Sequence, residues 1–484
     1  MLALVVLFTL IAASILILCF KCNAVAKKIA MAAHVLALAV TLVILVQAAS
    51  EPLSLVIGAE PWNIYVLVTR LDAFIMCLFI GINILITWAS LSMMERDLEA
   101  ARVRVHYALV CALVASLCGI VIFESFFNVF LMVEISTFLA TGIVIIKKKP
   151  ENMRAGMKYL TLSILGSTFI LMGIIILYFQ VGYFSMTGIN SNLELIAGYE
   201  HIVRNALIFV TLGIALKSAL FPLHIWLPDA HSTAPAASSA ILSGLVLKAY
   251  IFLYIKILYK VIGADNLIHP DLQLILTVVM ITGVVAMLAG SIMALLQKDI
   301  KRMIAYSSVA QIGYIFIGIG IGTQLGLFAA LFHIMVHAVV KPVLFLCAGS
   351  IISVTNNRSV DQMVGIGLKM PKTMTLFTMG ALSMVGIPLF VGFNSKWFFA
   401  TSMIDSDMLW LLGTLAVSSL LNACYFLPLV FRAFAGSNEK VTCVERPVRE
   451  LVPIFVLGSL IILLALFGGF INSYIHAGIA EIWR

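Results

Sequence analysis

The sequence predicts an all-α polytopic membrane protein with about 14 transmembrane helices. Of its 484 residues, 63% are hydrophobic and 11% are charged, and the mean hydropathy is +1.14. Soluble domains contain about 45–50% apolar and about 25% charged residues. Crossing the hydrocarbon core takes about 20 apolar residues per helix. The chain therefore has room for many crossings but little for an extramembrane domain, which excludes a soluble enzyme.

Apolar runs, separated by charged residues or by Pro, Gly and Asn, divide the chain into fourteen candidate spans. The first run is too long for a signal-peptide core and has no small-residue cleavage site after it, so we expect a retained helix. The spans lie near 2–20, 27–48, 71–93, 107–123, 127–146, 158–180, 203–227, 234–259, 272–296, 302–321, 324–352, 373–403, 408–435 and 450–472.

The positions of Lys and Arg agree with this count. Loops that follow odd-numbered spans hold 21 of the 30 basic residues. The opposite side, including both termini, holds only Arg70, Arg204, Lys256, Lys260 and Arg484. Because cytoplasmic loops are enriched in Lys and Arg, we expect a cell inner (cytoplasmic) membrane with both termini on the outer face. The net charge of +8 then reflects topology in the lipid bilayer and implies no nucleic-acid partner.

The eight cysteines lie mostly inside apolar runs. This placement predicts neither a disulfide framework nor a zinc site or an iron–sulfur cluster. The sequence also lacks a nucleotide-binding loop and a haem ligand set. We therefore expect no cofactor or metal bound by this chain, with any redox chemistry located in other subunits.

Four lysines lie inside the predicted spans, and they are the most informative residues of the chain. A charge buried at mid-membrane costs at least about 2.5–3.5 kcal/mol on insertion scales, so such residues usually face the bundle interior and carry function. The four are Lys217, Lys248, Lys341 and Lys396.

Glu134 is the acidic counterpart, in the middle of the fifth span, FFNVFLMVEISTFLATGIVII. We expect it to be the only well-buried carboxylate and to partner a lysine, because each charge in a low dielectric changes the proton affinity of the other. The alternative is a neutral or paired carboxyl group that serves packing.

Two of the lysines stand beside predicted helix breaks. Lys217 precedes Pro222 by five residues, and Lys396 follows Pro388 in a run interrupted by Gly and Asn. Proline removes a backbone hydrogen bond, and broken helices at mid-membrane are a recurring device of transporters. The two segments are five spans apart and so run in opposite directions, as inverted repeats do.

A third group lies between these breaks. His333, His337 and Lys341 occur at i, i+4 and i+8, so they share one helical face and form a candidate proton relay; interhelical hydrogen bonding is the alternative. Lys248 is expected to link Lys217 to this row. His231 either belongs to a cap of the eighth helix or gates access from the cytoplasm.

Three motifs carry a resemblance to a known family: LKSALFPLHIWLPDAHSTAPAASSAILSGLVLKAY, LLQKDIKRMIAYSSVAQIGY and HIMVHAVVKPVLFL. They strongly resemble the antiporter-like membrane subunits shared by respiratory complex I, energy-converting membrane-bound hydrogenases and Mrp-type sodium/proton antiporters. The likeness covers most of residues 105–435. Two departures concern the helix breaks, where Leu389 replaces a frequent second proline and Ala236 and Ala237 replace a Pro-Val pair.

The resemblance implies two inverted five-helix repeats with broken seventh and twelfth helices. It divides the chain into helices 1–3 (1–104), a first repeat (105–265), a second repeat (266–436) and helix 14 (437–484). It also implies a role for the whole set of site residues: Glu134, Lys217, Lys248, His333, His337, Lys341 and Lys396, with His231, Pro222 and Pro388 in gating or access.

The expected function is proton translocation within a multisubunit redox complex of dehydrogenase or hydrogenase type. The expected partners are other antiporter-like and small membrane subunits, together with peripheral redox subunits that hold iron–sulfur clusters, nickel or flavin. The main alternative is a subunit of an Mrp-type antiporter without a redox partner. A stand-alone cation transporter, a structural scaffold, and sodium as the carried ion stay open.

Overall fold

A computed structural model describes residues 1–58, 63–193, 198, 200–436 and 445–483. Lys440 and Arg484, which contribute to the count of basic residues, lie outside the described residues. We number the helices so that the labels α1 to α14 equal the membrane crossings, and a prime marks the second part of a broken crossing; α15 is the short helix after the last crossing.

The helices are α1 Leu2–Cys19, α2 Asn23–Ala48, α3 Arg70–Asp97, α4 Ala100–Ile122, α5 Phe126–Ile145, α6 Pro150–Val181, α7 Glu200–Ser218, α7′ Leu227–Thr233, α8 Ala236–Leu267, α9 Pro270–Leu295, α10 Ile300–Ile321, α11 Gln324–Thr355, α12 Pro371–Val385, α12′ Val391–Asp405, α13 Leu409–Phe434, α14 Val448–Phe467 and α15 Gly469–Ile482. Short helical turns occur at Met186–Ser191, Val360–Gln362 and Ile366–Lys369.

The crossings agree with the sequence-based count. Among the described residues, thirteen helices are long and apolar enough to cross a membrane. The remaining crossing comprises α12 and α12′, which have 15 residues each. The prediction of an all-α polytopic membrane protein with about 14 transmembrane helices is therefore confirmed.

Two smaller elements were not predicted. Strands β1, Leu53–Ile57, and β2, Ile64–Val68, pair antiparallel between α2 and α3. The chain also continues past α14 into α15, which contacts α3 and α11. Both were missed because they are short and occur where the hydropathy pattern shows only the end of a membrane span.

The two predicted helix breaks are present. α7 ends at Ser218, and the next residue, Ala219, has a φ of 57°. In the second break, Gly386 and Leu389 have φ angles of 91° and 82°. Left-handed backbone is unfavourable for a residue with a side chain. Leu389 nevertheless adopts it, and proline could not, because its φ is fixed near −65°. The departure from the family pattern at this position therefore matches a specific backbone geometry.

The centre of the bundle is formed by α8, α10 and α11. The apolar cores of α8 and α11 are completely buried, whereas fewer than half of the core residues of α1, α2 and α14 are buried. α8 contains two π-helical segments, Leu242–Val246 and Lys256–Gly263. Such segments are rare and frequently mark functional positions.

The predicted domain boundaries stay predictions. The boundary at 104/105 falls inside α4, and the one at 265/266 falls in the last turn of α8. The boundary at 436/437 lies at the edge of the described residues. Any repeat unit in this bundle is therefore defined by whole helices rather than by these residue numbers.

Candidate functional site

The four intramembrane lysines all lie in the protein interior. Lys248 and Lys341 are fully buried, and Lys217 and Lys396 expose 1% and 8% of their surface. His333 and His337 are buried with them. We call these side chains, which lie on α7, α8, α11 and α12′, the polar row.

Lys217 lies at one end of this row, against α5. Its Nζ donates a hydrogen bond to Thr137 Oγ1 at 2.7 Å and lies 5.1 Å from the ring centre of Tyr250 on α8. The Tyr250 hydroxyl is 2.8 Å from Ser136 Oγ, again on α5. The ammonium is thus held between α5 and α8 by a hydroxyl group and an aromatic face, two groups that tolerate both its charged and its neutral form.

The expectation that Glu134 is the only well-buried carboxylate is wrong. Glu134 is half-buried and forms no ion pair within 4 Å with the described part of the chain. It lies one helical turn before Thr137, and its charge acts on Lys217 over a longer distance. The carboxylates of Asp72 and Glu124 are more deeply buried.

Lys248 follows the first π segment of α8. Its Nζ donates a hydrogen bond to the carbonyl oxygen of Ser243. Close packing against α11 favours glycine here, since a Cβ at Gly244 would lie only 3.0 Å from Pro342 Cγ. Pro342 is inside α11, where a missing amide frees the carbonyl of Ala338. Two irregular helix segments therefore meet where the polar row crosses from α8 to α11.

Lys341 points from α11 towards α10. Its Nζ donates hydrogen bonds to Ser307 Oγ and to the Ile304 carbonyl oxygen, the latter at 3.1 Å. Ser308 on the same turn of α10 is 3.1 Å from Ser243 Oγ. α10 thus supplies hydroxyl groups that lie between Lys341 and the Ser243 turn bound by Lys248.

The two histidines continue the row along α11. Their ring centres are 6.3 Å apart. His333 Nδ1 is 2.7 Å from Ser395 Oγ on α12′, whereas neither ring nitrogen of His337 hydrogen bonds to a group in the described residues. His337 is therefore a buried polar group whose hydrogen-bonding capacity is available for transfer between Lys248 and His333.

Lys396 ends the row on α12′. Its Nζ donates hydrogen bonds to the Val385 carbonyl oxygen at 2.7 Å and to Ser419 Oγ at 2.8 Å. The ring of Tyr314 lies 5.5 Å from Nζ and 5.5 Å from the His333 ring. Ser395, which contacts His333, and Tyr314, which lies beside both His333 and Lys396, are the two groups between the histidines and the end of the row.

His231 lies beside the row and does not cap α8. The residue before α8 is Pro235, while His231 stacks on Phe345 of α11 with ring centres 4.8 Å apart. Neither of its ring nitrogens has a hydrogen-bond partner among the described residues. The charges of Lys301, Lys341 and Lys248 all act on this ring. The arrangement favours the access interpretation over the capping interpretation.

A polar cavity of about 390 Å³ opens next to α7′ at the basic end of the bundle. Asp229 spans it, accepting from Lys158 at 2.8 Å and lying 3.1 Å from Arg302. The remaining charged residues of its lining are Glu151, Arg154, Asp299 and Arg358. His231 is the buried titratable residue of α7′, the helix that contributes Asp229, Ser232 and Thr233 to the cavity lining.

Sequence reasoning missed a second buried charge cluster. Lys256, counted above on the outer side although it falls near the end of the predicted span 234–259, is buried and lies 3.2 Å from Asp72. Lys260 lies 2.7 Å from the buried carboxylate of Glu124. The i, i+4 spacing of the two lysines was the available signal, but the apolar run had been ended at residue 259.

Comparisons with known proteins agree on the family. Residues 124–422 match the family described as NADH:quinone oxidoreductase/Mrp antiporter, transmembrane. NADH-quinone oxidoreductase subunit N of Desulforudis audaxviator is 37% identical over 375 residues, which are 75% of this chain and 74% of that protein.

Two solved structures share the fold. A chain of an archaeal membrane-bound sulfane sulfur reductase superposes with a TM-score of 0.90 at 24% identity, covering 100% of this chain and 98% of that one. A chain of the Mrp complex from Dietzia sp. DQ12-45-1b gives 0.89 at 21% identity, with coverages of 100% and 97%. The resemblance seen in the three motifs is therefore confirmed: the chain belongs to the NADH:quinone oxidoreductase/Mrp antiporter family of multi-pass, antiporter-like membrane subunits.

Proposed function

We propose that this chain is the proton-translocating subunit of a multisubunit membrane redox complex, of the complex I-like dehydrogenase or energy-converting hydrogenase type. One observation carries the proposal: ionisable side chains are buried in the protein interior on four broken or irregular helices, namely Lys217, Lys248, His337, His333 and Lys396. A row of buried ionisable groups is expensive to maintain in a membrane, and it is the usual form of a proton pathway.

In this mechanism, residues of the row take up and release protons when the charge of a neighbouring residue changes. Protonation of Glu134 removes a negative charge near Lys217, which favours release of the lysine proton towards Lys248. The proton then passes by way of His337 and His333 to Lys396. Lys341, held by hydroxyl and carbonyl oxygens of α10, sets the electrostatic potential at the centre.

Access from the cytoplasm is assigned to the polar cavity and His231. The cavity is lined by Asp229, Ser232 and Thr233 of α7′, and His231 lies buried on the same helix, where the charges of Lys301, Lys341 and Lys248 act on its ring. Pro222 and Pro388 contribute by interrupting α7 and α12, which frees backbone groups beside Lys217 and Lys396. Lys396 exchanges protons with one side of the membrane.

The proposed setting is a cell inner membrane, with both termini on the outer face. Relatives and structural neighbours are subunits of membrane complexes, so the proposed neighbours are other antiporter-like and small membrane subunits. Peripheral redox subunits would hold the iron–sulfur clusters, nickel or flavin. This chain would supply the proton pathway and no redox group.

The alternative is a subunit of an Mrp-type sodium/proton antiporter without a redox partner. The likeness to a chain of the Dietzia Mrp complex supports it, whereas the name of the 37% identical relative supports the redox proposal. Purification of the tagged complex in mild detergent separates the two. Iron–sulfur proteins together with nickel or flavin absorption support the redox complex; small membrane subunits without metal support the antiporter.

Proton translocation itself is tested in inverted membrane vesicles by quenching of a pH-sensitive dye. Lys217→Met removes the ammonium at nearly constant volume and is expected to abolish translocation while the complex still assembles. Lys28→Met, at an exposed lysine, is the matched control and is expected to translocate normally. Normal translocation by Lys217→Met would contradict the proposal.

A further inference from the structure

A pair of exposed thiols lies in the turn between α1 and α2. Cys19 is the last residue of α1, Cys22 is the residue that precedes α2, and both are exposed. They form a Cys-x-x-Cys pair that the interpretation of the cysteines as parts of apolar runs overlooked. Among the other described cysteines, none has a second cysteine within three residues.

Cys22 lies immediately before α2, where the first backbone N–H groups of the helix point towards its side chain. Interaction with the backbone N–H groups of Val25 and Ala24 at the start of α2, together with the charge of Lys28, lowers the pKa of the Cys22 thiol below its ordinary value. The thiolate is the nucleophilic form of cysteine, and a helix N-terminus with nearby lysines is a typical setting for reactive thiols.

The Cys19 sulfur belongs to the same short turn as the Cys22 sulfur. Only Phe20 and Lys21 separate the two cysteines, and α1 and α2 pack against each other on either side of the turn. The turn is tied to the bundle where Arg104 Nη1 donates to the Phe20 carbonyl oxygen at 2.8 Å. Both cysteines are exposed on this turn, so a small disulfide has access to either sulfur.

We propose that Cys19 and Cys22 form a reversible dithiol–disulfide couple that exchanges with small disulfides. The Cys22 thiolate attacks a disulfide RSSR, forming a mixed disulfide and releasing one RS⁻, which takes up a proton. Cys19, after losing its proton, attacks the Cys22 sulfur and releases the second thiol. Two protein thiols and RSSR thus become one protein disulfide and two RSH. The proposal does not depend on proton translocation.

Oxidised glutathione is the probe, applied to membranes that contain the full-length chain. After alkylation of the remaining thiols, peptide mass spectrometry measures the fraction of chains with a Cys19–Cys22 disulfide. We expect this product in the wild type and its loss after treatment with dithiothreitol. Cys19→Ser should instead accumulate the mixed disulfide on Cys22, because the resolving thiol is missing.

The two single variants make the inference falsifiable. At pH 7, the remaining thiol of Cys19→Ser should react with glutathione disulfide several-fold faster than that of Cys22→Ser. Equal rates would overturn the assignment of Cys22 as the nucleophile. Absence of the intramolecular disulfide in the wild type, with a stable mixed disulfide in its place, would overturn the couple itself.

Discussion

The Lys396 ammonium donates a hydrogen bond of 2.7 Å to the carbonyl oxygen of Val385, the last residue of α12. At the other break, a carbonyl oxygen near the end of α7 is bound by a different residue: Trp226 Nε1 donates a hydrogen bond to the Leu216 carbonyl oxygen at 2.9 Å. Lys217 is then free to bond across to α5. The charge state of Lys396 is therefore coupled to the geometry of its own helix break, whereas that of Lys217 is coupled to α5.

This coupling predicts the effect of Gly386→Ala. A Cβ at Gly386 would lie 2.7 Å from Lys396 Cδ, at a φ of 91°. Both the backbone and the lysine must move, so we expect proton translocation to fall by about tenfold or more. Dye-quenching in inverted vesicles measures the rate.

The control for Gly386→Ala is Gly182→Ala. Gly182 has a φ of 80° with nothing within 4 Å of the added Cβ, so this change adds only the left-handed backbone cost of roughly 1 kcal/mol. It should translocate normally. Equal loss in both variants would mean that backbone strain, and not displacement of Lys396, causes the effect.

Leu389 provides a test of the second break. Leu389→Pro cannot adopt a φ of 82° and should lower the stability of the protein by roughly 3 kcal/mol or more. Leu389→Gly should leave stability unchanged or raise it, because glycine accepts this φ at no steric cost. Thermal unfolding in detergent measures both. A proline variant as stable as the wild type would show that the break can rearrange.

The buried pair of Asp72 and Lys256 predicts strongly non-additive stability changes. Lys256→Met leaves a buried carboxylate without its partner and should cost about 3–5 kcal/mol. The double variant Asp72→Asn with Lys256→Met removes both charges and should recover most of that loss. The comparison pair is Lys27 and Glu95, in which 54% of the Glu95 side chain is exposed. Lys27→Met should therefore lower the free energy of unfolding by only about 0–1 kcal/mol. Additive losses at Asp72 and Lys256 would contradict a direct ion pair.

These residues also mark how far the sequence alone can predict the structure. Hydropathy and the positive-inside rule locate the crossings because both reflect the bilayer itself. They fail at Lys256, since a lysine near the end of an apolar run has the same pattern whether it is a loop residue or lies in the interior. Its partner Asp72 is nearly 200 positions away, and no local pattern connects them.

Helix irregularities explain the other omissions. Prolines predict the breaks in α7 and α12. The π segments of α8, in contrast, contain no residue type that signals them. The polar row crosses to α11 at the first π segment. The sequence also could not predict that Glu134 is half-buried, because a span that is apolar on all sides does not indicate which face meets the lipid. The lysines could be predicted; their partners required the tertiary structure.

The last step from His333 towards Lys396 has two candidate routes, through Ser395 and through Tyr314, and we expect the Ser395 route to carry the proton. Ser395 Oγ is 2.7 Å from His333 Nδ1 and belongs to the residue next to Lys396, whereas the Tyr314 hydroxyl donates to Ser418 Oγ at 2.9 Å. Tyr314 contributes its ring, whose face lies beside the ammonium. We therefore expect Ser395→Ala to lower translocation by on the order of tenfold.

The matched variants at Tyr314 complete this test. Tyr314→Phe keeps the aromatic face and should translocate nearly as well as the wild type. Tyr314→Leu removes the face, which is worth about 2 kcal/mol for a desolvated cation, and should impair translocation because the charged form of Lys396 becomes harder to populate. Loss of translocation in Tyr314→Phe with normal rates in Ser395→Ala would reverse the assignment and place the proton on the tyrosine hydroxyl.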